Sequence, residues 1–153
     1  MVSTLPGSGV GITQRQCRII YAITLLVVLA SGGAFASCSQ GDLTGTWRIY
    51  SYDVISVNPT ATWCRMVIGS SGAISKSASS CSDTDGFSGV RMSGTMKIAS
   101  SCAIKPTTLT FYQGPISGTA ALKVADMDRG KTVMVGLLIS ENGDPLVFNA
   151  VKQ

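Results

Sequence analysis

The sequence predicts an all-β protein, an antiparallel eight-stranded up-and-down meander closed as a small barrel, with a two-sheet β-sandwich as the alternative. Three observations predict it. After residue 36 no eleven-residue window carries a 3.6-residue apolar period, whereas short β-branched and aromatic runs recur between clusters of Gly, Ser, Asn and Asp. These runs follow one another too closely for parallel neighbours, whose crossovers need roughly a dozen residues or more. An open meander of eight strands would also leave two long edges, and closing the sheet removes both.

Residues 1–36 stand apart from this pattern and read as a cleaved signal peptide. Arg15 and Arg18 precede an uninterrupted apolar run at 19–30, and Ala34-Phe35-Ala36 supplies an A-x-A cleavage site. The run is shorter than the roughly 20 residues of a spanning helix, with an uncleaved anchor as the alternative. Residues 37–153 then form a single domain that is secreted or periplasmic and meets a membrane only through the signal. Phe35-Ala36-Ser37-Cys38 also resembles a loose lipobox, so lipid anchoring through Cys38 at the cell envelope is the alternative location.

The expected strands are 46–54, 62–68, 73–79, 91–99, 103–112, 118–127, 132–139 and 146–151. Gly69-Ser70-Ser71-Gly72 joins the second to the third, and a polar loop around Asp83-Thr84-Asp85-Gly86 follows. Asn142-Gly143 predicts a hairpin with a type I′ turn, which needs positive φ at both central residues. The stretch VADMDRGKTVMVG invites two other readings. A phosphate-binding loop would need glycine at position 125, where the chain has Ala125, and would not carry Asp126 and Asp128 against a phosphate. A calcium loop would need more oxygen ligands and a glutamate at its twelfth position. A turn at Asp128-Arg129-Gly130, with Gly130 left-handed, accounts for every residue.

Composition excludes several functions. Of twelve Lys and Arg two lie before residue 37, and the other ten are scattered singly against eight Asp and Glu, without the basic stripe of a nucleic-acid binder. The absence of histidine removes the Ser-His-Asp and Cys-His arrangements. Glu141 is the only glutamate, and the aspartate pairs 83/85 and 126/128 lie where turns use aspartate. The chain is therefore expected to be no enzyme, with no catalytic residues, cofactor, metal or nucleotide. Cys17 falls in the signal, leaving Cys38, Cys64, Cys81 and Cys102, an even number that reads as two disulfides in an exported domain. Alternating strand directions place Cys38 and Cys102 at one end of the barrel and Cys64 and Cys81 at the other, giving Cys38–Cys102 and Cys64–Cys81.

Period-two alternation sorts the faces. One collects Trp47, Ile49, Met66, Ile68, Met96, Ile98, Leu109, Phe111, Leu122, Val124, Val133, Val135, Leu137, Leu146 and Phe148; the other carries Arg48, Arg65, Lys97, Thr108, Thr110, Lys123, Thr132 and Asn149. An eight-stranded barrel is wide enough inside for these side chains or for one small ligand.

Gly45-Thr46-Trp47, within LTGTW, resembles the opening motif of lipocalins and the start of avidin-type barrels. MDRGKTVMVG with the closing LVFNAVK looks like the last hairpins of lipocalin-like domains in secreted bacterial proteins. The resemblance implies a closed barrel that binds one small molecule. Lipocalins also carry an Arg near the last strand, packed on the first Trp, and Lys152 stands there in this chain. Ile49 occupies the place of the asparagine that avidin-type barrels use for biotin. The expected ligand is thus a small apolar molecule, lined by Trp47, Ile49, Met66, Met96, Phe111, Leu122, Val135 and Phe148. A filled core, with a structural or interaction role at the envelope, is the alternative.

Overall fold

Strand pairing closes on itself. The computed structural model describes residues 37–54 and 59–153; the expected signal peptide lies outside the described residues, as do 55–58. A short helix, α1 (Gln40–Leu43), precedes β1 (Gly45–Asp53), β2 (Ala61–Ile68), β3 (Ala73–Ile74), β4 (Ser80–Asp83), β5 (Arg91–Thr95), β6 (Ala103–Ile104), β7 (Thr107–Gln113), β8 (Ile116–Met127), β9 (Val133–Ser140) and β10 (Pro145–Lys152). Neighbours are antiparallel throughout, and β1 pairs with both β2 and β10, so the sheet is a barrel rather than a sandwich. Ten segments fill eight positions, because β3 and β4 share the flank of β2 while β6 and β7 share that of β8.

Both interruptions have local causes. The third strand was expected to run through 73–79, but residues 75–79 leave the sheet as a turn in which the Ala78 and Ser79 amides donate to the Ser75 carbonyl. This serine-rich stretch has little to bury and readily bonds its own backbone. Ser79 is fully buried, and its Oγ accepts from the Val67 amide at 3.0 Å, so a side chain replaces a ladder bond. Arg65 and Arg91 donate to the Ala78 and Ser77 carbonyls and hold the turn from outside. The break between β6 and β7 contains Pro106, which has no amide to donate.

Two strands depart from the expected faces. In β8 a bulge between Leu122 and Val124 shifts the phase, so Leu122, Ala125 and Met127 point inward and Val124 is 54% exposed. In β9 the buried residues are Met134 and Leu138, and Val135 is 54% exposed. The sequence VMVGLLI is apolar on both faces, so alternation does not choose between them. Pairing chooses: Met134 lies opposite buried Ala150, and Gly136 opposite Phe148. Val124, Val133, Val135 and Leu137 therefore belong to the outward phase, and Val135 is no lining residue.

The hairpins differ from expectation in one shared way. Gly143 donates to the Ser140 carbonyl at 3.0 Å and is left-handed (φ 92°), whereas Asn142 has negative φ. This is a type I turn followed by a left-handed residue, not a type I′ turn. The β8–β9 hairpin repeats the device from Asp128 to Lys131, and Lys131 (φ 60°), not Gly130, takes the left-handed conformation. The Asp128 carboxylate accepts from the amides of Gly130, Thr132 and Val133 at 3.0, 2.7 and 2.7 Å. Its oxygens are thus used by the turn itself.

Candidate functional site

One end of the barrel is closed. Cys38 is bonded to Cys102, and its amide donates to the Ser100 carbonyl, which ties the chain before α1 to the β5–β6 connection. From there α1 carries Leu43 under the barrel, where Leu43 and Trp47 are both 0% exposed. The Trp47 indole donates to the Leu43 carbonyl at 2.8 Å. Lys152 Nζ donates to the Asp42 carbonyl at 2.7 Å and lies 5.5 Å from the Trp47 ring centroid, within cation–π range. Gln40 reaches the Met96 carbonyl, and Lys131 pairs with the Asp42 carboxylate at 2.9 Å.

These contacts set the charge states at this end. The Lys131 ammonium, followed by the Ser39 amide, holds the Asp42 carboxyl down to about 2. The Val133 amide, then those of Thr132 and Gly130, lowers Asp128 in the same direction. Groups whose pKa is depressed by folding contribute stability above the unfolded value and lose it as pH falls through the folded one. The thermal midpoint should therefore fall as pH drops from about 4 toward about 2. Asp128→Asn should lower the midpoint near neutrality and flatten that acid slope; an unchanged slope would show that the turn does not depend on the ionised carboxylate.

Above this floor the barrel encloses a cavity of about 320 Å³. Its wall takes Ile49 from β1, Cys64 and Met66 from β2, Met92 from β5, Leu109 and Phe111 from β7, Leu122 from β8, Leu138 from β9 and Phe148 from β10, with Met96 below β5. The Cys64–Cys81 disulfide joins directly opposed residues of β2 and β4 and lines the cavity, so it lies in the barrel wall rather than at an end. Gly136 makes room for the aromatic ring, since a Cβ there would lie 2.6 Å from Phe148 Cε1 and 2.6 Å from Ala125 Cβ. The three methionines give the wall unbranched, adaptable side chains.

The far end carries the polar residues. Ser51, Thr62, Asp83, Thr119, Ser140, Glu141 and Asn142 line it where β1, β2, β4, β8 and the β9–β10 hairpin meet. Glu141 Oε2 accepts from the Thr119 amide, and Asp83 Oδ1 from the amides of Asp85 and Phe87. Among the described residues no lysine or arginine lines the cavity. An apolar interior thus ends in a rim of hydroxyls and two carboxylates.

Of the residues expected to line the interior, Ile49, Met66, Met96, Phe111, Leu122 and Phe148 surround this cavity. Trp47 instead forms part of the buried floor, and Val135 faces outward. Met92 shares the parity of Met96 and was readable from it, whereas Leu138 follows only from the register of β9 with β10.

Fold and site define a class, a small disulfide-bonded antiparallel β-barrel with a closed floor and an apolar cavity ending in a polar rim. The chain matches no family model, no curated protein and no solved structure. Its two disulfides are those of a protein that folds in an oxidising environment.

Proposed function

We propose that this protein is an exported, non-catalytic binder of one small apolar molecule, held in the barrel with its polar end at the rim. The observation that carries the proposal is the 320 Å³ cavity with its apolar wall. That volume lies at the lower end of the roughly 300–1,000 Å³ typical of ligand pockets. The resemblance to lipocalins supports the same reading, and the Lys152–Trp47 contact occupies the place of the Arg–Trp contact in that family. Asp83 and Glu141 at the rim disfavour a ligand ending in a carboxylate and favour a hydroxyl or amine. A non-catalytic role accords with a chain without histidine whose four cysteines after residue 37 are all in disulfides. Export accords with those disulfides and with the signal read at 1–36.

Native mass spectrometry of the exported protein, purified without detergent, tests this. The expected result is a stoichiometric small-molecule adduct that is lost on unfolding, or uptake of one equivalent of a neutral apolar dye by the bare protein. Leu138→Trp should fill the cavity and abolish uptake at a stability cost of about 1–3 kcal/mol. Val135→Thr, on the outer face of the same strand, should leave uptake intact. A bare protein that takes up no dye, or a Leu138→Trp variant that binds as before, would overturn the proposal.

A further inference from the structure

The cavity wall is polar along one row. Register places Ser51 of β1 opposite Thr62 of β2, and Thr62 opposite Asp83 of β4, and all three line the cavity. Phe148 of β10 stands on the other side of Ser51, so the row runs from the apolar wall to a carboxylate. Ser51 shares the inward phase of Trp47 and Ile49 and is 8% exposed. Unlike the sealed hydroxyl of Thr44, its hydroxyl opens onto the cavity. Among the described residues neither it nor the Thr62 hydroxyl has a hydrogen-bond partner. A buried hydroxyl so placed takes its partner from whatever fills the cavity. Asp83 is held differently. Its Oδ1 accepts from the amides of Asp85 and Phe87, both at 3.0 Å, which fixes the carboxylate, and among the described residues Oδ2 accepts from none.

Three acceptors in one row select a head group that only donates. Side chains opposed across a ladder stand about 4.5–5.5 Å apart at Cβ, so a group seated over Thr62 is within reach of both neighbours. An ammonium has N–H donors and no acceptor, and its bond to a carboxylate is charge-assisted. An alcohol would satisfy Ser51 or Thr62 equally well, but its apolar body would displace water from Asp83 and leave that charge unanswered. The wider charge distribution points the same way. Asp53, Asp83, Asp85, Glu141 and Asp144, five of the eight carboxylates after residue 37, stand at the rim ends of their strands, whereas Arg129, Lys131 and Lys152 stand at the floor. Lys76 and Arg91 are engaged on the outer wall, by the Tyr112 ring and the Ser77 carbonyl. A mouth of this sign raises the local concentration of cations.

We propose, resting on the reading of the cavity as a small-molecule site, that the ligand is a primary or secondary organic ammonium whose nitrogen donates to Ser51, Thr62 and Asp83. Titration calorimetry with octylamine, 1-octanol and octanoate, beside uptake of the neutral dye, tests this. Octylamine should bind at least tenfold more tightly than octanol, and octanoate should bind most weakly. Asp83→Asn keeps an oxygen for the two amides and should reduce the preference for amine over alcohol at least tenfold. Asp126→Asn, on the outer face near the floor, should leave that preference as it is. Ser51→Ala should weaken octylamine binding yet raise the urea midpoint of the bare protein, because it removes a buried hydroxyl that the protein does not itself satisfy. A lower midpoint would show that the hydroxyl serves the fold instead, and would overturn its part in the site. Dye uptake with octanol or octanoate bound as tightly as octylamine would overturn the ammonium and leave the cavity reading standing, as would Asp83→Asn with the amine preference intact. A protein that takes up neither the dye nor any of the three would overturn both.

Discussion

Gly72→Ala is expected to destabilise the barrel by roughly 3 kcal/mol or more, a large share of the 5–15 kcal/mol that holds a domain of this size folded. Gly72 has φ 87°, and a Cβ there would lie 2.1 Å from the Met96 carbonyl oxygen and 2.6 Å from Gln40 Nε2. The backbone conformation alone costs about 1–2 kcal/mol in a residue with a side chain. The steric conflict adds to this, because the atom in the way belongs to backbone. The Gly72 carbonyl accepts from the Met96 amide at 2.9 Å, and the Met96 carbonyl accepts from Gln40, so neither group can retreat without losing a bond. Gly143→Ala is the internal control. Gly143 has φ 92°, but nothing lies within 4 Å of an added Cβ. It should lose only the conformational part, about 1–2 kcal/mol. Urea unfolding of both variants measures the difference; equal losses would show that the close approach of Gly72 to Met96 is not maintained in solution.

Removing the Cys38–Cys102 disulfide should cost more than removing Cys64–Cys81. The first spans 64 residues and the second 17. In the chain-entropy account these separations correspond to roughly 4 and 3 kcal/mol respectively. The longer link also has a specific consequence, since it fastens the segment before α1 that carries Leu43 beneath Trp47. Cys38→Ala with Cys102→Ala should therefore lower the urea midpoint further than Cys64→Ala with Cys81→Ala. It should also raise the accessibility of Trp47 to a neutral fluorescence quencher, against the already exposed Trp63 as reference. If the shorter link proves the costlier one, the strength of the barrel lies in the β2–β4 wall rather than in its closed end.

The sequence by itself determined the all-β class, the antiparallel order of the strands and the run of inward residues on β1, β2, β7 and β10. On β1 the alternation of Trp47, Ile49 and Ser51 with Arg48, Tyr50 and Tyr52 matches the burial residue for residue. Pattern reading works there because one face is markedly more polar than the other, so a one-residue slip would place charge inside. It fails on β9, where VMVGLLI offers apolar residues to both faces and only pairing with β10 selects Met134 and Leu138. It fails on β8 because a bulge is a property of the ladder and has no signature in Ala121-Leu122-Lys123-Val124.

Tertiary structure alone decided the turn at 75–79, where arginines from β2 and β5 and the buried Ser79 hydroxyl replace ladder bonds. It also decided that Trp47 belongs to the floor, because α1 and Lys152 converge on it from opposite ends of the domain. The two carboxylates at the rim come from Asp83 and Glu141, 58 positions apart in the chain. Local propensity and alternation are written in neighbouring residues, and so they were legible. The cavity and the outward phase of Val135 and Leu137 are set by register between distant strands, and register becomes visible only when the barrel closes.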